Sequence, residues 1–184
     1  MASIDYISEV VDDLVRKYDT RDPYRICKEL DVKIRLKDLG KNIKAYYLYQ
    51  SRVRSIVVNN RISEPMRRIL VAHELGHDRL HKEIAMLKGF RETVFFSITQ
   101  PIEYEANLFA AELLIDDDEL TELIDYDEKC FFGIARELYV PAALLDFKYR
   151  ILRHKGHQVE IPYIANGDFL KYDIEGCFDE EDVY

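Results

Sequence analysis

Ile4, Ile7, Val10, Val11 and Leu14 recur at intervals of three and four, so the first 18 residues read as an amphipathic helix. A second short helix is expected from Asp22-Pro23, where Asp can cap and Pro fits the first turn, to near Leu30. The period then shortens. Residues 32–37 alternate as Val, Lys, Ile, Arg, Leu, Lys, and residues 44–49 and 53–58 are rich in Tyr, Ile and Val between polar turns, which predicts three short strands. Their connections are too short for crossovers, so the expectation is a small antiparallel sheet. Ser63 ahead of Glu64-Pro65 marks a helix start that should run to about Lys82. Residues 83–101 are less regular, with Phe90, Val94, Phe95, Phe96 and Ile98 before Pro101. Further helices are expected at 102–115, 118–124, 128–139 and 141–153, followed by an irregular segment with Pro162 and Asn166-Gly167. The pattern is that of an α+β fold, a small sheet packed on helices with a helical C-terminal region. Any boundary falls near Asp125, dividing residues 1–125 from 126–184.

Composition narrows this. With 48% hydrophobic residues among 184, and only 7 Gly and 5 Pro, the chain can bury one sizeable core without staples. No apolar run approaches the ~18 residues of a membrane span. The first 20 residues carry Asp5, Glu9, Asp12 and Asp13 and lack the basic start and apolar stretch of a signal peptide, so the cytoplasm is the expected compartment. Cys27, Cys130 and Cys177 are odd in number and far apart, which suits reduced thiols. The formal charge of -9 argues against a nucleic-acid partner unless a local basic patch overcomes it. Acids crowd at 116–119 and 173–182, and these are expected to be solvated surface and a frayed tail.

The candidate chemistry lies at 73–77, HELGH. On a helix His73 and His77 differ by about 40° around the axis and about 6 Å along it, so both can ligate one ion. Glu74 flanks them and can reach a water activated by that ion, the position wanted of a general base. Met66, Ile69, Leu70 and Leu80 fall within about 60° of His73, so the imidazoles lie on an apolar, buried stripe. Two histidines leave a zinc site short of its usual three protein ligands, and His81, Glu103 and Glu105 are the candidates for the third. On the 102–115 helix Glu103 lies inside the arc of Ala106, Phe109, Ala110, Leu113 and Leu114, whereas Glu105 and Glu112 mark the opposite side, expected to face solvent. A carboxylate in a buried stripe is costly unless paired or metal-bound, which makes Glu103 the better ligand. Asn107, one turn beyond, can orient a ligating ring. His81 is expected to support the site from behind, since a fourth protein ligand would close the water position. Zinc is preferred over manganese or iron on ligand type.

VAHELGHDRLH at 71–81 followed by EYEANLFAAELL at 103–114 resembles the ImmA/IrrE family of bacterial metallopeptidases, zinc proteins of the gluzincin type. The resemblance extends over about residues 22–153, with DPYRICKELDVKI at 22–34 and VVNN at 57–60. It implies a zincin-like fold, zinc ligands at His73, His77 and Glu103, and a catalytic Glu74. It also implies cleavage of a helix-turn-helix repressor by an anti-repressor that derepresses a mobile element, prophage or stress regulon. One departure is visible: the family's second motif commonly ends in LLMP, whereas Ile115-Asp116 follow Leu114 here.

Other readings remain to be weighed. A zinc-containing module that sequesters its partner without cutting it would carry the same ligands. A general degradative protease is less attractive without a secretion signal or pro-segment. A strand edge within 42–60 could hold substrate by strand addition. Ile134, Leu138, Leu144, Leu145 and Phe147, split by Val140-Pro141 and accompanied by Arg136, Lys148, Arg150 and Arg153, could form a helix-turn-helix pair, but helices that finish the core or dock a protein fit the acidic total better. The 83–101 stretch is expected to fill the core rather than cover the cleft as a lid.

Overall fold

A computed structural model describes residues 2–82, 100–126, 130–160 and residue 170. The expectations for a lid or core filler at 83–99, for Asn166-Gly167, for Cys177 and for the acidic tail lie outside the described residues. Cys27 and Cys130 are free thiols, as their spacing suggested.

The first helix, α1 (Ile4–Tyr18), is capped by the Ser3 hydroxyl, which accepts from the Tyr6 amide, and buries Ile7, Val11 and Leu14. In α2 (Pro23–Glu29) the Asp22 carboxylate accepts from the Tyr24 amide and Pro23 occupies the first turn. Three strands follow: β1 (Val32–Lys37), β2 (Ala45–Gln50) and β3 (Val53–Asn59). Strands β2 and β3 form an antiparallel hairpin whose two-residue turn, Ser51-Arg52, has both residues at positive φ (50° and 66°), the twist that suits a tight hairpin.

The α+β class stands, but the all-antiparallel sheet does not. The strand order is β1-β3-β2, and β1 runs parallel to β3. The short-connection argument failed because β2 itself is the crossover: the chain leaves β1, passes the end of β3, and returns on its far side. Asn59 at that end holds the passing loop, donating from its side-chain amide to the carbonyls of Gly40 (2.7 Å) and Ile43 (2.9 Å).

Helix α3 (Glu64–Leu80) packs on β2 and β3 with one side and on α4 (Gln100–Leu114) with another. Then come α5 (Asp117–Tyr126), α6 (Phe131–Glu137) and α7 (Ala142–His154). A single apolar cluster joins Ile7, Ile56, Leu75, Phe109, Phe147 and Leu152. None of the described helices is long and apolar enough to cross a membrane.

Helix α4 is not the surface helix that its wheel implied. Glu112, expected to face solvent, is only 2% exposed, because α1 and α7 cover the side of α4 turned away from α3. Its charge is met by Lys148 of α7, itself fully buried, and by Lys155 at 2.6 Å; both lysines also pair with Asp117. Residues 143–149, 151 and 152 of α7 are all buried, so α7 has no open face to lay into a DNA groove.

Helices α3 and α4 pack tightly at Gly76. A Cβ built there would stand 3.2 Å from the Ala106 Cα and 3.2 Å from Phe109 Cβ, atoms that cannot rotate away. Gly76→Ala therefore sets a gain of about 1 kcal/mol in helix propensity against an overpacking cost of about 1–3 kcal/mol. The expected result is a net loss of up to about 2 kcal/mol, read as a lower urea midpoint.

The ionic cluster predicts a pH dependence. Burial pushes the Glu112 and Asp117 carboxyls up, but Lys148 and Lys155 outweigh it and hold both below their ordinary values. Their contribution to stability is complete above the unfolded Glu value of 4.5 and drains away as pH falls through the depressed folded values. Lys155 is displaced upward and loses its contribution only as pH rises past 10.5. Urea midpoints measured across the acid range should fall, and Glu112→Gln should flatten that fall.

Candidate metal centre

His73, Glu74 and His77 project from successive turns of α3, whose start carries Ser63 at the capping position and Pro65 in the first turn. Glu103 comes from the first turn of α4. Because Gly76 and Ala106 let the two helices touch, Glu103 reaches across to both imidazoles. His73, His77 and Glu103 each offer one ligand atom, all within 4.8 Å of one another.

Three separations define the triangle. The two Nε2 atoms are 3.1 Å apart, His73 Nε2 is 3.4 Å from Glu103 Oε2, and His77 Nε2 is 3.7 Å from Glu103 Oε1. Bonds of about 2.0–2.1 Å in tetrahedral geometry set zinc ligand atoms roughly 3.4 Å apart, and these closest approaches, the two to Glu103 running to different carboxylate oxygens, put all three side chains within reach of one cation. The His73 side chain is 6% exposed, that of His77 16% and that of Glu103 19%, so the triangle is open on the His77 and Glu103 side. These donors, two neutral-capable nitrogens and one carboxylate oxygen, suit a borderline divalent cation with a position to spare.

The titratable groups are tuned by burial and by each other. Burial drives the His77 ring down to about 3, with the His73 and His81 rings adding to the fall, so His77 stays neutral and keeps a lone pair to donate. For His73 burial acts downward too, but the hydrogen bond and charge of Glu103 outweigh it and the net shift is upward. Glu74 is pushed up to about 7, mainly by burial and further by the Glu103 charge, while His73 and a hydrogen bond from the Tyr47 backbone amide act against the rise. A carboxyl poised there can both take and return a proton near neutral pH.

A second row of side chains backs the triangle. Asn107, fully buried, lies close enough to the His73 ring to influence its protonation. His81 stays out of the triangle and instead touches His77 from behind, Nδ1 to Nδ1 at 3.1 Å. Its Nε2 lies 2.8 Å from Glu105 Oε2. One set of tautomers satisfies this line: with Nε2 free for a cation, His77 carries its proton on Nδ1 and donates it to His81, whose Nε2–H then donates to Glu105. Glu105 was expected to face solvent. It is 5% exposed, covered by the amino-terminal segment, whose Ala2 amide donates to its other oxygen at 2.7 Å.

Sequence reasoning missed one more anchor. Asp78, 1% exposed, accepts from the Tyr47 hydroxyl (2.8 Å) and from Arg54 Nη1 (3.0 Å), while Arg54 also donates to the Leu30 carbonyl. This ties the last turns of α3 to β2 and β3. The only hint was a second acid directly after HELGH; its partners lie 31 and 24 residues away.

Known proteins resemble the chain over the part that carries this site. Immunity region protein 2 of Bacillus phage phi105, itself uncharacterized, is 34% identical over 111 residues, covering 60% of this chain and 69% of that protein. Metallopeptidase ImmA of Bacillus subtilis (strain 168) is 25% identical over 147 residues, covering 77% of this chain and 83% of that protein. The IrrE N-terminal-like domain profile of the peptidase M78 family matches residues 27–150, the span that carries both histidines, both flanking glutamates and the sheet beside them, and the chain belongs to that metallopeptidase family.

Proposed function

We propose that the protein is a zinc-dependent endopeptidase that cleaves a helix-turn-helix repressor in the cytoplasm, acting as an anti-repressor. The observation that carries the reading is the convergence of His73, His77 and Glu103, each offering a ligand atom within 4.8 Å of the others and partly open on the His77 and Glu103 side, next to a buried Glu74. The family supplies the peptidase class, and the names of the two relatives, an immunity region protein and ImmA, support a target connected with repression.

Zinc held by these three residues supplies Lewis acidity to the attacking water and the scissile carbonyl. The rest falls to the chain itself. Glu74 takes a proton from the attacking water and passes it to the leaving amine. The Tyr47 amide steadies Glu74 from β2, an edge strand of the sheet among the described residues, and that edge of β2 is where an extended substrate would add as a further strand. Asn107 orients His73, and His81 with Glu105 fixes the tautomer of His77.

The test is incubation with the helix-turn-helix repressors encoded beside its gene. A discrete fragment that disappears with chelator is expected; a stable complex with no fragment would favour the sequestering module instead. Glu74→Gln is expected to keep one zinc per chain while cleavage falls by about 10²–10⁴-fold, and full turnover by that variant would refute the general-base role. Glu105→Gln exchanges the charged acceptor at the end of the His77–His81 line for a neutral amide oxygen and should weaken zinc binding about 10- to 100-fold. Competition with a chromophoric chelator measures this without reference to activity.

A further inference from the structure

The chain's charge is sharply divided. Residues 32–61, the whole sheet and its turns, hold eight lysines and arginines against one acid, a net +7 in a chain of -9, which leaves -16 on the remainder. The register sorts these cations by face. Tyr47 and Arg54 reach Asp78 of α3, so their face of the sheet is the one that packs on α3, and Val32, Ile34 and Leu36 share it. Lys33, Arg35 and Lys37 therefore point to the opposite face.

This row is open. Lys33, Arg35, Leu36 and Lys37 are exposed, as is Lys41 in the turn that follows. Lys33 is paired with Asp31, but Arg35, Lys37 and Lys41 have no ion-pair partner among the described residues. Strand β1 pairs only with β3 among the described residues, so its other edge presents unpaired backbone donors and acceptors. Leu36, 52% exposed, alternates with the cations along that edge.

We propose that the free edge of β1 is an exosite that docks an acidic, extended segment of a protein partner. Residues i and i+2 of an added strand would meet the cations, while the alternate ones would meet Leu36 and Ile34, and the backbone would complete the ladder. A strand edge offers its hydrogen bonds to a polypeptide and not to a nucleic acid. The -16 on the remainder of the chain also repels a long polyanion more than a short acidic segment. The exosite lies across the sheet from β2, about 10 Å away at the usual strand spacing, so it selects a partner without touching Glu74. It deepens the proposed function by giving the partner's chemistry, yet it is measured by binding alone.

Fluorescence anisotropy of the full chain with a labelled octapeptide of alternating glutamate and threonine is the experiment. Saturable binding that weakens from 50 to 200 mM salt is expected, with the lysine-threonine peptide inert. The triple variant Arg35→Glu, Lys37→Glu, Lys41→Glu should lose about tenfold or more in affinity, while its zinc content and circular dichroism stay as in the wild type. Equal binding by the triple variant overturns the assignment. So does preferential binding of a 20-base-pair duplex over the acidic peptide. Binding that emerges only after Asp179, Glu180, Glu181 and Asp182 are neutralised to amides would give the edge to the chain's own end and overturn the claim for an outside partner. If the peptide binds as expected and no repressor is cut, the exosite stands and the peptidase reading falls.

Discussion

The approach of α3 to α4 governs the rest of this structure. Histidines on one helix can be set by the sequence of that helix alone, but a third ligand from another helix depends on how far apart two backbones lie. Gly76 and Ala106 remove the side chains that would hold the helices off, and the distance from Glu103 to both imidazoles follows from that removal. Gly76 sits inside HELGH, so the same five residues that supply two ligands and a base also make room for the third ligand. Its helix-weakening tendency is tolerated because the surrounding turns are buried on the sheet and on α4.

Bringing these groups together carries an electrostatic cost that the surroundings meet residue by residue. Glu74, Glu103 and Glu105 crowd one small volume with three histidines, and Asp78 and Glu112 lie buried nearby along the same two helices. Each acid has a defined answer: Tyr47 and Arg54 for Asp78, Lys148 and Lys155 for Glu112, His81 and the Ala2 amide for Glu105. Glu74 is answered only by the His73 ring and one backbone amide, and burial raises its carboxyl to about 7.

What the sequence reveals follows from the range over which each signal acts. Helix and strand positions, the capping residues Ser3 and Asp22 and the HELGH face are local, and the structure places them within a few residues of the pattern. The choice of Glu103 rested on the cost of a lone buried carboxylate, and the structure sets it beside the two histidines. The same wheel misread Glu105 and Glu112, because it assumed that a helix has one inner side. Helix α4 is enclosed by α3, α1 and α7, and acids on its far side are buried against partners contributed by residue 2 and by residues 148 and 155. The parallel pairing of β1 with β3 was hidden for a related reason: connection length says which strands cannot be joined directly, not which one lies between them.

The bond from the Ala2 amide to Glu105 links the beginning of the described chain to the imidazole line behind the cation site. Small changes around Ala2, such as an inserted affinity tag or a leftover protease scar, thereby act on a centre some 70 to 100 positions downstream. For preparative work this recommends that handles be placed away from Ala2.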